Sequence, residues 1–347
     1  MSFLSGYSSH TWQPVMTADT TNPSYWLNWR FFLCALWIFI SMSLAALLIW
    51  RHEGFNKSRL ERRENQRDEA GLLYEDEAWQ TCVKGIHPAW LLAFRIIAFL
   101  VLLALIIANV AADGGGIFYF YTQWTFTLVT IYFGVGSCLS IFGCFIYPNK
   151  FVDDAVNHSY LDTELGIYVA PRLGGGEDMS NLPKSSHSHQ EPYAPRTAGL
   201  WGYIFQILFQ TCAGAVVLTD FVFWFIIYPF LTSKDYSLNF LIVCLHSINA
   251  LFLLGDTSLN RLRFPMFRFA YFVLWTTIFV VFQWIIHACV SIWWPYPFLD
   301  LSSSYAPLWY LAVGLLHIPC YGAFYLIIRL KLSWLSRAFP DSCQFVR

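Results

Sequence analysis

Five polar residues stand out in a chain otherwise short of them: Thr122, Asp220, His246, His287 and His317, each set within a long apolar run. A hydroxyl beside an imidazole in a water-poor site can carry out nucleophilic catalysis. The imidazole takes the hydroxyl proton while the oxygen attacks a carbonyl, and later protonates the leaving group. Asp220 could orient that imidazole. Thr125 lies one turn beyond Thr122 on the same helix face, and Trp124 and Asn249 carry N–H donors that could stabilise an oxyanion. The structural alternative is that the hydroxyls bond back to their own helix carbonyls, and that each His makes one interhelical bond worth about 0.6 kcal/mol. The chain has no Gly-x-Ser-x-Gly elbow, no His-Glu-x-x-His and no phosphate loop.

The elements that must position these residues are membrane spans. Of 347 residues, 57% are hydrophobic and only 12% charged, against roughly a quarter charged in a soluble domain. The charges gather into blocks, and the intervals approach the ~20 apolar residues that cross a bilayer. Seven spans are predicted, at about 31–50, 88–112, 118–147, within 200–231, 238–255, 266–293 and 308–330. The expected fold is therefore all-α and polytopic. It has an N-terminal tail (1–30), one extra N-terminal helix (31–50), a charged loop (51–87), a six-helix core (88–331) and a tail (332–347). The third span carries Thr122, Gln123, Thr125, Thr127 and Thr130, so it should face the bundle interior rather than lipid. Asp113-Gly114-Gly115-Gly116 before it reads as a tight turn.

Mixed charges at helical spacing, Arg59 to Glu69, predict a solvated helix in the 51–87 loop. The 148–198 loop is Gly-, Ser- and Pro-rich, and its His187 and His189 read as solvated rather than metal-binding. The nine cysteines show no metal or disulfide spacing and read as small core residues. No metal and no cofactor is expected. A net charge of −1 argues against nucleic acid as a partner, which leaves membrane lipids and a lipophilic substrate.

Lys and Arg concentrate after spans one, three and five and in the tail, including Lys150, Arg172, Arg261, Arg263, Lys331 and Arg337. The opposite side has one clear basic loop residue, Lys234. The positive-inside rule then puts the N-terminus outside or in the lumen and the C-terminus in the cytosol. At ~1.5 Å per residue, Thr122, Asp220, His246, His287 and His317 all fall in the lumenal half of the membrane, on five different helices. Ionisable groups there cost about 2.5–3.5 kcal/mol each on insertion scales, so several at one depth suggest a site.

Three segments resemble the androgen-induced and androgen-dependent TFPI-regulating protein family, which includes the rolling stone relatives. They are Tyr121-Thr122 followed by Phe133-Gly134, His246 followed by Asp256, and Trp294-Pro295-Tyr296-Pro297-Phe298-Leu299-Asp300, with Phe223-Trp224 as a weaker fourth. The resemblance covers about residues 88–330. It implies an integral-membrane threonine hydrolase that cleaves lipophilic carboxylic esters such as fatty-acid esters of hydroxy fatty acids, with Thr122 as nucleophile and His246 as base. The chain departs from the family in its extra first span, its long 148–198 loop and a shorter turn between spans four and five. Asp220 matches no acid of the family.

The expected location is the endoplasmic reticulum membrane rather than the plasma membrane. The competing readings are a non-enzymatic seven-helix receptor-like, cell-fusion or signalling protein, and, further off, a haem carrier using paired His or a transporter. The sequence leaves the oligomeric state open.

Overall fold

The computed structural model describes residues 16, 18–53, 73–146, 197–231 and 238–340. The charged stretch 54–72, the His187/His189 pair, Lys234 and the tail beyond 340 lie outside the described residues. The chain is all-α. Seven helices are long and apolar enough to cross a membrane: α1 (Trp29–Glu53), α2 (Pro88–Asp113), α3 (Tyr121–Phe145), α4 (Leu200–Leu231), α5 (Phe240–Leu259), α6 (Met266–Cys289) and α7 (Ala306–Ala338).

Local chemistry sets the ends of these helices. Pro88 opens α2, where the His87 ring accepts from the Ala89 amide at 3.2 Å. Gly114, with φ +74°, closes it in a conformation that side chains rarely adopt. A 3₁₀ turn, Gly115–Tyr119, then leads into α3. Asn239 caps α5 by accepting from the Ile242 amide at 2.8 Å.

Two of the helices depart from regular α geometry. From Phe223 onward α4 widens into a π-helix, a register that accommodates Pro229, whose ring nitrogen has no N–H to give. Helix α5 breaks at His246 and Ser247 into Phe240–Leu245 and Ile248–Leu259.

Helix α4 is the hub, packing on α3, α5, α6 and α7, while α2 packs on α3 and α5. The extra helix α1 lies outside this core against α6 and α7, and presents Phe32, Leu36, Phe39 and Leu47 outward, as lipid contact requires. Close approach of α4 to α6 depends on Gly214, since a Cβ there would lie 2.4 Å from the Phe272 ring. Among the cysteines, Cys34, Cys212, Cys244 and Cys320 are buried as expected, whereas Cys138 and Cys289 lie on the exposed surface.

Helix α3 faces inward, with Thr122, Gln123, Thr125 and Thr130 all buried. Thr130 bonds back to the Phe126 carbonyl at 2.9 Å, and Thr211, Thr219, Thr257 and Thr277 behave likewise on their own helices. Thr122, Thr125 and Thr127 make no such bond.

The two ends of the bundle are tied differently. At the end opposite the N-terminal segment, Arg95 Nε meets Asp256 Oδ1 at 2.7 Å with both side chains fully buried. Tyr132 and Asn260 donate to the other carboxylate oxygen, and Arg95 also reaches the Ala78 carbonyl and Ser140. This network joins α2, α3 and α5. At the near end, residues 18–30 fold over the loop that follows α6. Tyr25 donates to Asp300 at 2.8 Å and accepts from Trp294 Nε1 and the Leu301 amide. Thr20 bonds the His287 carbonyl, and Arg30 the Ser302 carbonyl. The loop 294–301 is thereby held against the start of α3.

Candidate functional site

A cavity of about 160 Å³ opens at that near end. On this measure one water needs roughly 10–15 Å³, so several waters or a stretch of acyl chain would fit. Leu218, Val222, Ile227, Leu245, Phe279 and Leu299 make most of the wall apolar, and Thr122 and His246 both face into it.

His246 is presented by the break in α5. Interrupting the helix leaves the His246 carbonyl without its usual amide partner, and Trp224 Nε1 donates to it at 2.8 Å. The imidazole stacks on Phe223, centroids 3.6 Å apart and planes 2° from parallel. Its Nδ1 lies 3.9 Å from Asp220 Oδ1, and neither atom has a hydrogen-bond partner. Asp220, Phe223 and Trp224 sit at i, i+3 and i+4, one face of α4 aimed at one histidine.

Thr122 stands in the first turn of α3. Phe120 precedes that helix and has no side chain that can cap it, so the leading amides need another acceptor. The Tyr296 hydroxyl lies near the Tyr121 and Thr122 amides and the Thr122 hydroxyl. Burial pushes the Tyr296 phenol up to about 12, with those three contacts opposing the rise, so it is protonated at neutral pH. No hydrogen bond joins Thr122 to His246.

The remaining expected residues divide clearly. His317 donates or accepts at Thr276 Oγ1, 2.9 Å away, while its Nδ1 meets the Val313 carbonyl. Thr276 in turn bonds the Tyr121 hydroxyl at 2.8 Å, and both line the cavity, so His317 reaches its wall at one remove. His287 does not reach it. Its Nδ1 meets the Gln283 carbonyl at 2.7 Å, its Nε2 the Trp293 carbonyl at 3.4 Å, and its ring stacks on Trp294. Its own helix takes Nδ1 through the Gln283 carbonyl, and the loop after α6 folds back onto Nε2 and the ring face.

Asn249 is fully buried behind His246, beside Asp220, with Nδ2 unpartnered. Trp124 has spent its one donor on the Phe118 carbonyl at 2.9 Å. Thr125 is fully buried and outside the cavity lining.

Tyr296 is the residue that sequence reasoning passed over. Its signal was present, a tyrosine in an aromatic extramembrane segment, but nothing in the sequence says that this segment folds back onto α3. Gln123 also lines the cavity and keeps a buried, unpartnered Oε1. Among the described residues no group of three or more His, Cys, Asp or Glu is placed to hold a metal ion. Comparison of the chain with known protein families, with curated proteins and with solved structures finds no match.

Proposed function

We propose that the protein is an intramembrane hydrolase of a lipophilic carboxylic ester drawn from the bilayer, with Thr122 as nucleophile and His246 as base. The observation that carries this reading is the convergence of Thr122 and His246, from α3 and α5, on one largely apolar cavity. The resemblance of its short segments to the androgen-induced threonine hydrolases points the same way, with esters of the hydroxy-fatty-acid type as the substrate class.

In this mechanism Thr122 Oγ attacks the ester carbonyl carbon and its proton passes to His246 Nε2. The bond to the alcohol oxygen breaks, and that oxygen takes the proton from His246. Water, deprotonated by the same imidazole, then attacks the threonyl ester. The acyl–Oγ bond breaks, and the imidazolium returns its proton to Thr122 Oγ, which releases the acid and restores the enzyme. Tyr296, protonated and facing Thr122, is the donor for the oxyanion in place of Trp124 or Asn249. No cofactor takes part. The N-terminal segment lies on the lumenal side and the tail in the cytosol, in keeping with the Lys/Arg distribution, and the endoplasmic reticulum is the membrane we assign.

The test is labelling by a fluorophosphonate in native membranes. Wild-type protein should label, and Thr122→Ala should not. A non-catalytic, ligand-binding seven-helix protein is the second reading, favoured by the Thr122 hydroxyl facing Tyr296 rather than His246. It predicts no covalent labelling in either protein.

A further inference from the structure

We propose that Asp220 is a positioning residue for His246, holding it as the Nδ1–H tautomer so that Nε2 presents its lone pair to the cavity. The role of that lone pair as a base rests on the hydrolase reading, whereas the tautomer itself does not. The sequence resemblance offers no acid at this place, so the inference stands on geometry alone.

Phe223 stacks face to face on the imidazole and fixes the plane of the ring. Trp224 fixes its backbone through the His246 carbonyl. The group nearest Nδ1 is the Asp220 carboxyl, 3.9 Å away. That gap exceeds a hydrogen bond, which closes by about 3.2 Å. It is also shorter than the roughly 4.5–5.5 Å between two groups bridged by one water.

Direct closure of the gap therefore needs only a small shift of the Asp220 side chain towards the ring. Three buried polar atoms lack partners here, Asp220 Oδ1, His246 Nδ1 and Asn249 Nδ2, and leaving buried polar atoms unpaired is costly. With Asp220 ionised, one arrangement satisfies them together: Nδ1–H donates to Asp220, and the Asn249 amide donates to the same carboxylate. A carboxylate accepts and does not donate, so it selects the tautomer with the proton on Nδ1. Nε2 is then bare on the cavity side.

This is tested by nitrogen-15 NMR of the full-length protein in lipid, histidine-labelled, with the His246 signals assigned by their loss in His246→Gln. Wild-type His246 should carry its proton on Nδ1. In Asp220→Asn the new amide can donate to Nδ1, so the proton should move to Nε2. Asp220→Glu, which adds a methylene across the 3.9 Å gap, should restore the Nδ1–H form. Thermal unfolding of each variant confirms that it is folded.

On a hydrolysable ester, Asp220→Asn should lower kcat roughly 10²–10⁴-fold while KM stays within about twofold. A wild-type Nε2–H tautomer, or one indifferent to Asp220→Asn, overturns the inference. Absence of turnover even in the wild type would instead remove the hydrolase reading, and the tautomer would still decide the role of Asp220.

Discussion

Each polar residue in the cavity wall can be ranked by what its polar atoms already touch. Thr122 and His246 line the cavity, Thr122 with its hydroxyl beside Tyr296, whereas His287 and Trp124 lie outside the lining with their donors committed to backbone carbonyls. Thr122→Ala and His246→Ala should therefore each abolish ester turnover, with the double variant hardly worse, because residues acting as a unit lose activity non-additively. Thr125→Ala should leave turnover near wild type. Kinetics on one ester substrate with all four proteins checks the set. A large loss in Thr125→Ala alone would shift the nucleophile by one turn. Tyr296→Phe, which removes the facing hydroxyl but keeps the ring, should lower kcat roughly 10²-fold.

Glu77, outside the membrane spans, gives a separate handle on pH. Burial pushes its carboxyl from 4.5 up to about 7, against the opposing charges of Arg263 and Arg261. The folded protein then binds a proton that the unfolded chain has released, so stability should fall as pH rises from about 4.5 to about 7. Glu77→Gln should flatten that dependence. Thermal midpoints in detergent at pH 5 and pH 8 read both effects.

At the scale of the elements, much was legible and the reasons are plain. Span lengths follow from hydropathy, and the inward face of α3 follows from the cost of exposing Thr and Gln to lipid. The shared depth of Thr122, Asp220 and His246 follows from counting residues along straight helices. What a count cannot supply is any departure from regular geometry. The break at His246 and the π register from Phe223 are what bring Asp220, Phe223 and Trp224 around one ring, and both depend on packing between α4 and α5. His287 shows the converse, its Nε2 and ring face taken up by a loop whose fold no periodicity reports.

The Arg95–Asp256 pair was legible only as an acidic residue at a helix end. As a fully buried ion pair it should respond strongly to loss of one partner. Asp256→Leu should cost roughly 3–5 kcal/mol, and Arg95→Met with Asp256→Leu should recover much of that. A double-mutant cycle by thermal unfolding measures it. Gly214→Ala should cost about 1–3 kcal/mol by forcing α4 away from Phe272.

For the whole molecule, the fold is an apolar-surfaced bundle with one cavity end and one ion-paired end. The N-terminal segment 18–30 lies across the cavity end, pinned through Tyr25, Thr20 and Arg30. In the proposed hydrolase it would bear on turnover by holding the loop that carries Tyr296. Tyr25→Phe, which removes three hydrogen bonds of that clamp, should lower turnover more than it lowers the unfolding temperature. Orientation is tested in sealed microsomes. Protease added outside should spare the 1–28 segment and cut within 148–198, and cleavage of 1–28 without detergent would reverse the topology.

The central claim is a covalent one, that the Thr122 hydroxyl bonds to the carbonyl or phosphoryl group of a lipophilic electrophile. Peptide mapping by mass spectrometry after fluorophosphonate treatment of membranes tests it most directly. The account predicts an adduct on Thr122 that is lost in His246→Ala. An adduct on another residue, or unmodified Thr122 in protein that hydrolyses an ester normally, would contradict it.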